Sequence, residues 1–233
     1  KLYIQLQNIT IIYIFAYMEN FILEFIVVVL GILFALFLNR VNEKIQHKKR
    51  IHSIMNIIVA NMNKDLSTIK YIIKGIDHKF ALLNKLEEKS LMSEEELKEC
   101  MLLGTDYTLF GISKRGYNLL KDARIDFEFK ESELISTIIL NYDEYLSLFE
   151  IYDRLAEKIS EQNMRLLSNL NLHRDIYNNI LSEEVKSHIQ TNDYLNMVQY
   201  FLYIMAGEYK AQLEAYKNSV VTLLQKIDKS DFK

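Results

Sequence analysis

Apolar residues are distributed along this chain in three distinct patterns. The first is an unbroken run, FILEFIVVVLGILFALFL from Phe21 to Leu38, in which Glu24 is the only charge. At 1.5 Å per residue, Asn20 to Asn39 spans about 30 Å, the thickness of a bilayer's hydrocarbon core. The run therefore predicts one transmembrane helix over 19–39. Buried core helices are typically amphipathic or shorter. A cleaved signal peptide would carry a basic residue just before the run and a small-residue cleavage site after it, and neither is present.

The second pattern is a seam. Ile51, Met55, Ile58, Met62, Ile69, Ile72 and Ile76 recur at spacings of four and three, interrupted once by Asp65. This is the signature of a coiled coil or a bundle helix. Nothing between Leu38 and Gly75 breaks a helix, so the membrane segment is expected to continue into a stalk. From Asn20 to about Lys89 that rod would be about 100 Å long.

The third pattern is a set of amphipathic stretches with turn signals between them. Ser93-Glu94-Glu95-Glu96 is a capping box that opens a short helix, with acidic residues at the positive end of its dipole and Gly104 as its stop. The window TDYTLFGISKRGYNLL contains Gly111 and Gly116 and directly follows Gly104. It is the least helical part of the chain and is expected to be a loop. A short helix over about 113–122 follows, and IDFEFK alternates as a brief extended segment would. From Ser132 to about Leu170 a long helix is expected, its apolar side carrying Leu134, Ile138, Ile139, Tyr142, Leu146, Phe149, Tyr152, Leu155 and Ile159. NLNLHRD reads as a bend, followed by a short helix through Ile189. Thr191-Asn192-Asp193 caps one last long helix. Together these predict an all-α fold: a single N-terminal transmembrane helix continuing into a stalk, then an antiparallel helical bundle. The expected organisation is 1–18 as an N-terminal extension, 19–39 as the span, 40–90 as basic segment and stalk, and 91–233 as the bundle packing on the stalk. Because the chain begins with Lys1, two origins stay open for residues 1–17: a fragment of a longer chain, or an extension upstream of a start at Met18.

The flanks of the span set an expected orientation. Arg40, Lys44, Lys48, Lys49 and Arg50 crowd its C-terminal side, and Lys1 alone lies on the other. By the positive-inside rule the bulk of the chain is then cytoplasmic. The same cluster could touch anionic lipid headgroups, although its role as a topology determinant suffices to explain it. At 100° per residue, Asn20, Glu24, Gly31, Ala35, Asn39 and Asn42 share one sector of the helix. Small residues permit close backbone approach in lipid and polar ones find partners there, so Glu24, Gly31, Ala35 and Asn39 are the candidate self-association face. The alternative is that Glu24 snorkels and the small residues are incidental.

Composition agrees with this picture. The 233 residues include no proline and six glycines, against roughly a dozen and sixteen at average usage, which argues against a turn-rich β-sandwich or barrel. A net charge of −3 gives no electrostatic case for nucleic acid. One cysteine, Cys100, excludes an intramolecular disulfide framework and reads as a buried structural thiol. His47, His52, His78, His173 and His188 form no metal-ligand pattern, and no P-loop, GxGxxG or GxSxG is present. No catalytic residue, cofactor, metal or small-molecule substrate is therefore expected. The one window where an enzyme site would fall holds Asp106, Tyr107, Lys114, Arg115, Tyr117 and Arg124, which packing of a bend explains more simply.

LEFIVVVLGILFALFLNRVNEK resembles the start of a family of uncharacterised bacterial membrane-anchored proteins, a domain of unknown function. Glu24, Gly31-Ile32, Ala35-Leu36, Asn39 and Asn42-Glu43 match its pattern. Arg40 and Val41 stand where the family has asparagine and tryptophan, and the missing tryptophan weakens an interfacial anchor. Gly116, Tyr117, Leu120, Glu133, Leu134 and Tyr142 are similar to the family's second motif, and the last helix to its terminal one. The resemblance implies a membrane-anchored all-helical protein and supplies no reaction. The reading that follows is a non-enzymatic interaction or scaffold protein, with the bilayer and a homo-oligomer or protein partner as its contacts. The alternative is an oligomeric membrane effector or channel-like protein with a cytoplasmic sensing bundle.

Overall fold

The computed structural model describes the backbone of residues 2–122 and 129–230, and the side chains of 24–122 and 133–230. All regular structure among the described residues is helical. The chain divides into two compact units, Lys1–Ser53 and Ile54–Lys233.

Helix α1 runs Leu2–Glu87. Its portion in the first unit contains a stretch long and apolar enough to cross a membrane, none of it buried. Its portion in the second unit behaves oppositely. Met55, Ile58, Met62, Ile69, Ile72 and Ile76 are all buried, so in this unit the seam is covered by the chain's own helices.

The remaining helices are α2 (Glu94–Cys100), α3 (Arg115–Asp122), α4 (Phe129–Asn169), α5 (His173–Tyr177), α6 (Glu183–Ile189), α7 (Asn192–Tyr203) and α8 (Lys210–Asp228). The capping box at Ser93 forms as the sequence indicates, with Ser93 Oγ accepting from Glu96 N and Glu96 accepting from Ser93 N. Thr191 caps α7 by accepting from Tyr194 N at 3.2 Å. Helix α1 ends without glycine. Lys89 takes φ 52°, and Ser90 N donates back to Lys85 O at 2.9 Å. Asn171 (φ 59°) and Asn179 (φ 54°) close α4 and α5 the same way. These are Schellman-type endings, with lysine and asparagine in the left-handed position that glycine usually takes. Of the proposed extended segment IDFEFK, residues 125–128 lie outside the described residues, and Phe129 and Lys130 open α4.

The last helix departs from the single long element expected. A six-residue π-helical turn, Ile204–Tyr209, joins α7 to α8. Met205, Tyr209 and Leu213 are all buried, at consecutive spacings of four. In an unbroken α-helix two successive fours rotate the buried face by about 80°. One wider turn absorbs the extra residue and keeps that face on the core. On α4 the buried line is Ile135, Ile138, Tyr142, Phe149, Ala156 and Ile159, whereas the expected Leu134, Ile139, Leu146, Tyr152 and Leu155 are half-buried beside it. Asn163 and Ser160 continue that line into the interior.

An aromatic cluster fills the centre. Phe149 meets Phe110, Tyr209 and Tyr216 edge-on at 5.2, 5.9 and 5.8 Å, and Tyr145 lies 4.9 Å from Tyr216. Such edge-on and tilted pairs add to the gain from burial.

Candidate functional site

The residues singled out on the apolar helix are all exposed: Glu24, Gly31, Ala35 and Asn39, and beyond them Arg40, Lys44, Lys48, Lys49 and Arg50. Gly31, Ala35 and Asn39 follow one another at intervals of four, so they stack on one face. A Cβ built on Gly31 would meet nothing within 4 Å. Asn39 Nδ2 donates to Glu43 Oε1 at 2.9 Å, one turn along. Arg40, Lys44 and Lys48 likewise share a face, whereas Lys49 and Arg50 project elsewhere. The basic cluster therefore surrounds the helix instead of forming one patch.

The second unit contains a different kind of site. Residues 101–114 carry no helix or strand beyond turns, yet Met101, Leu103, Phe110 and Ile112 are buried. An irregular segment that is partly buried must find partners for its buried backbone groups. Here side chains from the surrounding helices provide them. Tyr194 Oη donates to Cys100 O. Asn163 Nδ2 donates to Gly104 O at 2.6 Å, and Ser160 Oγ to Thr105 O at 2.7 Å. Lys79 Nζ donates to Asp106 O at 2.5 Å, and Asn61 Nδ2 to Ser113 O at 3.1 Å. Phe110 N donates to Tyr209 Oη at 2.8 Å. Ser113 N donates to both oxygens of Asp65, at 3.2 and 3.3 Å.

Asp65 is the most buried charged residue here, 1% exposed. Tyr216 Oη donates to it at 3.0 Å. Burial raises its carboxyl above the ordinary range, partly offset by the hydrogen bonds from Ser113 and Tyr216. Burial also pushes the Tyr216 and Tyr142 phenols well up, and the Asp65 charge adds to this, so both stay protonated at neutral pH. Tyr142 is stacked on Tyr117 at 5.1 Å, and its hydroxyl has no hydrogen-bond partner among the described residues. An unpaired buried hydroxyl is a net cost, so Tyr142→Phe is expected to stabilise the protein by about 1 kcal/mol. A fall in the thermal midpoint would contradict this.

The outer side of the pinned loop borders a cleft of about 460 Å³. Its floor includes the buried Ile72, Ile76, Leu103, Phe201, Leu202 and Met205. Two polar contacts lie along it: a hydrogen bond from His78 Nε2 to Glu99 Oε2 at 2.6 Å and an ion pair of Lys79 Nζ with Asp106 Oδ2 at 2.7 Å. The residues considered for an enzyme site do not converge. Asp106 and Tyr107 line this cleft. Lys114 points instead to Glu150, at 3.7 Å, and Tyr117 donates to Asp143 beside Lys121. Arg124 lies outside the described residues. Burial, with Glu96 and Glu99 nearby, pushes the Cys100 thiol up to about 12, so it carries no nucleophilic thiolate at neutral pH. Among the described residues no three histidine, cysteine or carboxylate groups gather to hold a metal ion.

Sequence reading missed Asp65, which it took only as a break in the seam, and the inward amides and hydroxyls of Asn61, Ser160 and Asn163. The available signal was polarity at positions of apolar register, next to a window rich in glycine.

The fold and site define an all-helical protein with one uncovered apolar helical stretch and a helical unit organised around a polar-pinned loop. Compared with models of protein families, with curated proteins and with solved structures, the chain matches none.

Proposed function

We propose that this chain is a non-enzymatic, membrane-anchored interaction or scaffold protein. In this reading 19–39 crosses a bacterial inner membrane once, and the helical unit lies in the cytoplasm as an antiparallel bundle. The observation that carries it is the uncovered stretch of α1. Eleven large apolar side chains between Phe25 and Leu38 are exposed. Left in water, so continuous an apolar surface far exceeds what soluble monomers tolerate. Lipid removes that cost, and the surrounding basic residues favour retention on the cytoplasmic side.

The antiparallel arrangement is supported by pairs along α1. Asp65, Asp77 and Glu87 meet Tyr216, Lys210 and Gln199, so partner numbers fall as those on α1 rise. The burial of Gly116, Tyr117 and Leu120 gives a packing reason for the family's second motif, and we extend the proposal to membership of that family. Self-association through Gly31 and Ala35 is part of the same reading, because among the described residues no atom lies within 4 Å of a Cβ built on Gly31.

Alkaline carbonate extraction tests the anchor. The full chain is expected to stay in the membrane pellet and a deletion of 21–38 to move to the supernatant, with a reporter after Lys233 reading cytoplasmic. Release of the full chain by carbonate would overturn the proposal. Crosslinking in the membrane tests self-association, and Gly31→Leu with Ala35→Leu should abolish the crosslinked oligomer. Ion flux from reconstituted protein that is lost in Glu24→Ala would instead favour the channel-like alternative.

A further inference from the structure

The cleft beside the pinned loop has features that packing of the chain does not require. Gly75 forms part of its wall, in the interior of an 86-residue helix. Glycine there costs about 1 kcal/mol relative to alanine. A Cβ at Gly75 would meet no atom within 4 Å, whereas one at Gly116 would strike α1. Among the described residues no neighbour demands the missing side chain at Gly75, and its absence keeps the wall open. On the opposite side Met205, within the π-helical turn, forms part of the floor. Such turns concentrate at functional sites.

The charges along the cleft select among ligands. Both carboxylates have partners within the chain: Asp106 is ion-paired with Lys79, and Glu99 accepts a hydrogen bond from His78 Nε2. Lys74 also lines the cleft, and its ammonium has no ion-pair or hydrogen-bond partner among the described residues. An apolar floor under one unpaired cation suits a ligand with an apolar body and a single negative charge. The volume of about 460 Å³ falls within the range of small-ligand sites.

We propose that this cleft binds an apolar chain ending in a carboxylate, with the chain against Ile72, Ile76, Leu103 and Met205 and the carboxylate at Lys74. The site makes the helical unit a receptor for a fatty-acid-like molecule, beyond a scaffolding role. It stands apart from the membrane proposal, because occupancy of the cleft does not depend on the span.

The test uses the full chain in phosphatidylcholine nanodiscs and a long-chain fatty acid bearing a mid-chain diazirine, with labelled peptides mapped after irradiation. Labels are expected in 71–82, 102–108 and 201–205. Gly75→Phe, which fills the cleft from its wall, should abolish them without lowering the thermal midpoint. Lys74→Glu, a surface change that leaves the floor intact, should reduce them by about fivefold, as for loss of one exposed ion pair. The probe's methyl ester should label these peptides as weakly as the acid labels Lys74→Glu. Labelling confined to the apolar stretch of α1 would overturn the proposal, because it reports probe dissolved in lipid. Cleft labelling unchanged by Lys74→Glu, or equal for acid and ester, would overturn it as well.

Discussion

Asp65→Leu is expected to lower the stability of the helical unit by about 3–5 kcal/mol, the range for breaking a buried hydrogen-bonded charge site. Leucine restores the apolar seam of α1 and by pattern alone would be an improvement. It fails because Ser113 N and Tyr216 Oη both donate to the Asp65 carboxylate, and leucine leaves both unpaired, the first half-buried and the second buried. Asp65→Asn keeps an acceptor oxygen and should cost less, about 1–2 kcal/mol. The difference in thermal midpoint between the two variants in mild detergent checks the argument. Equal midpoints would mean that the hydrogen bonds contribute nothing.

The same residue makes a prediction about pH. Burial holds the Asp65 carboxyl above its ordinary range in the folded protein, so the native state keeps a proton that the unfolded chain has already lost. Stability from this group is complete below the unfolded value of about 3.9 and declines as pH rises through the higher native value. Asp65→Asn removes that titration. The gap between wild type and Asp65→Asn should therefore shift against the wild type as pH rises from acid toward neutral, and a constant gap would count against it.

Gly116→Ala is the second large effect, expected to destabilise by about 2–3 kcal/mol. A Cβ at Gly116 would lie 2.6 Å from Ile58 Cγ1, 2.9 Å from Ile58 N and 3.0 Å from Ile58 Cα. The side chain could move, but the backbone of α1 cannot without losing its own hydrogen bonds. Gly75→Ala is the control. Its added methyl meets open space, so it should stabilise by about 1 kcal/mol through helix propensity. Comparable losses at both positions would refute the packing account and leave only a general effect of replacing glycine.

Much of the architecture was legible in local pattern. The apolar run, the capping box at Ser93 and the spacing of Met55, Ile58, Met62 and Ile69 are properties of neighbouring residues, and short-range rules read them directly. The bend at NLNLHRD was legible too, because asparagine tolerates the left-handed backbone that Asn171 adopts. The π-helical turn left only a faint trace, two consecutive spacings of four, which single residues cannot reveal.

What the sequence determined by itself is therefore the helices, their apolar faces and the stretch that water does not suit, since periodicity and length depend only on the chain. Tertiary structure alone decided that Asp65 anchors a loop instead of interrupting a seam. It also set Gly116 against Ile58 and opened Gly75 onto a cleft between α1, the loop and α7. Each of these depends on which groups meet across long stretches of chain, as Asp65 does with Ser113 48 residues on and with Tyr216 151 residues on. Such meetings follow from packing and hydrogen-bond satisfaction in three dimensions, which local pattern does not encode.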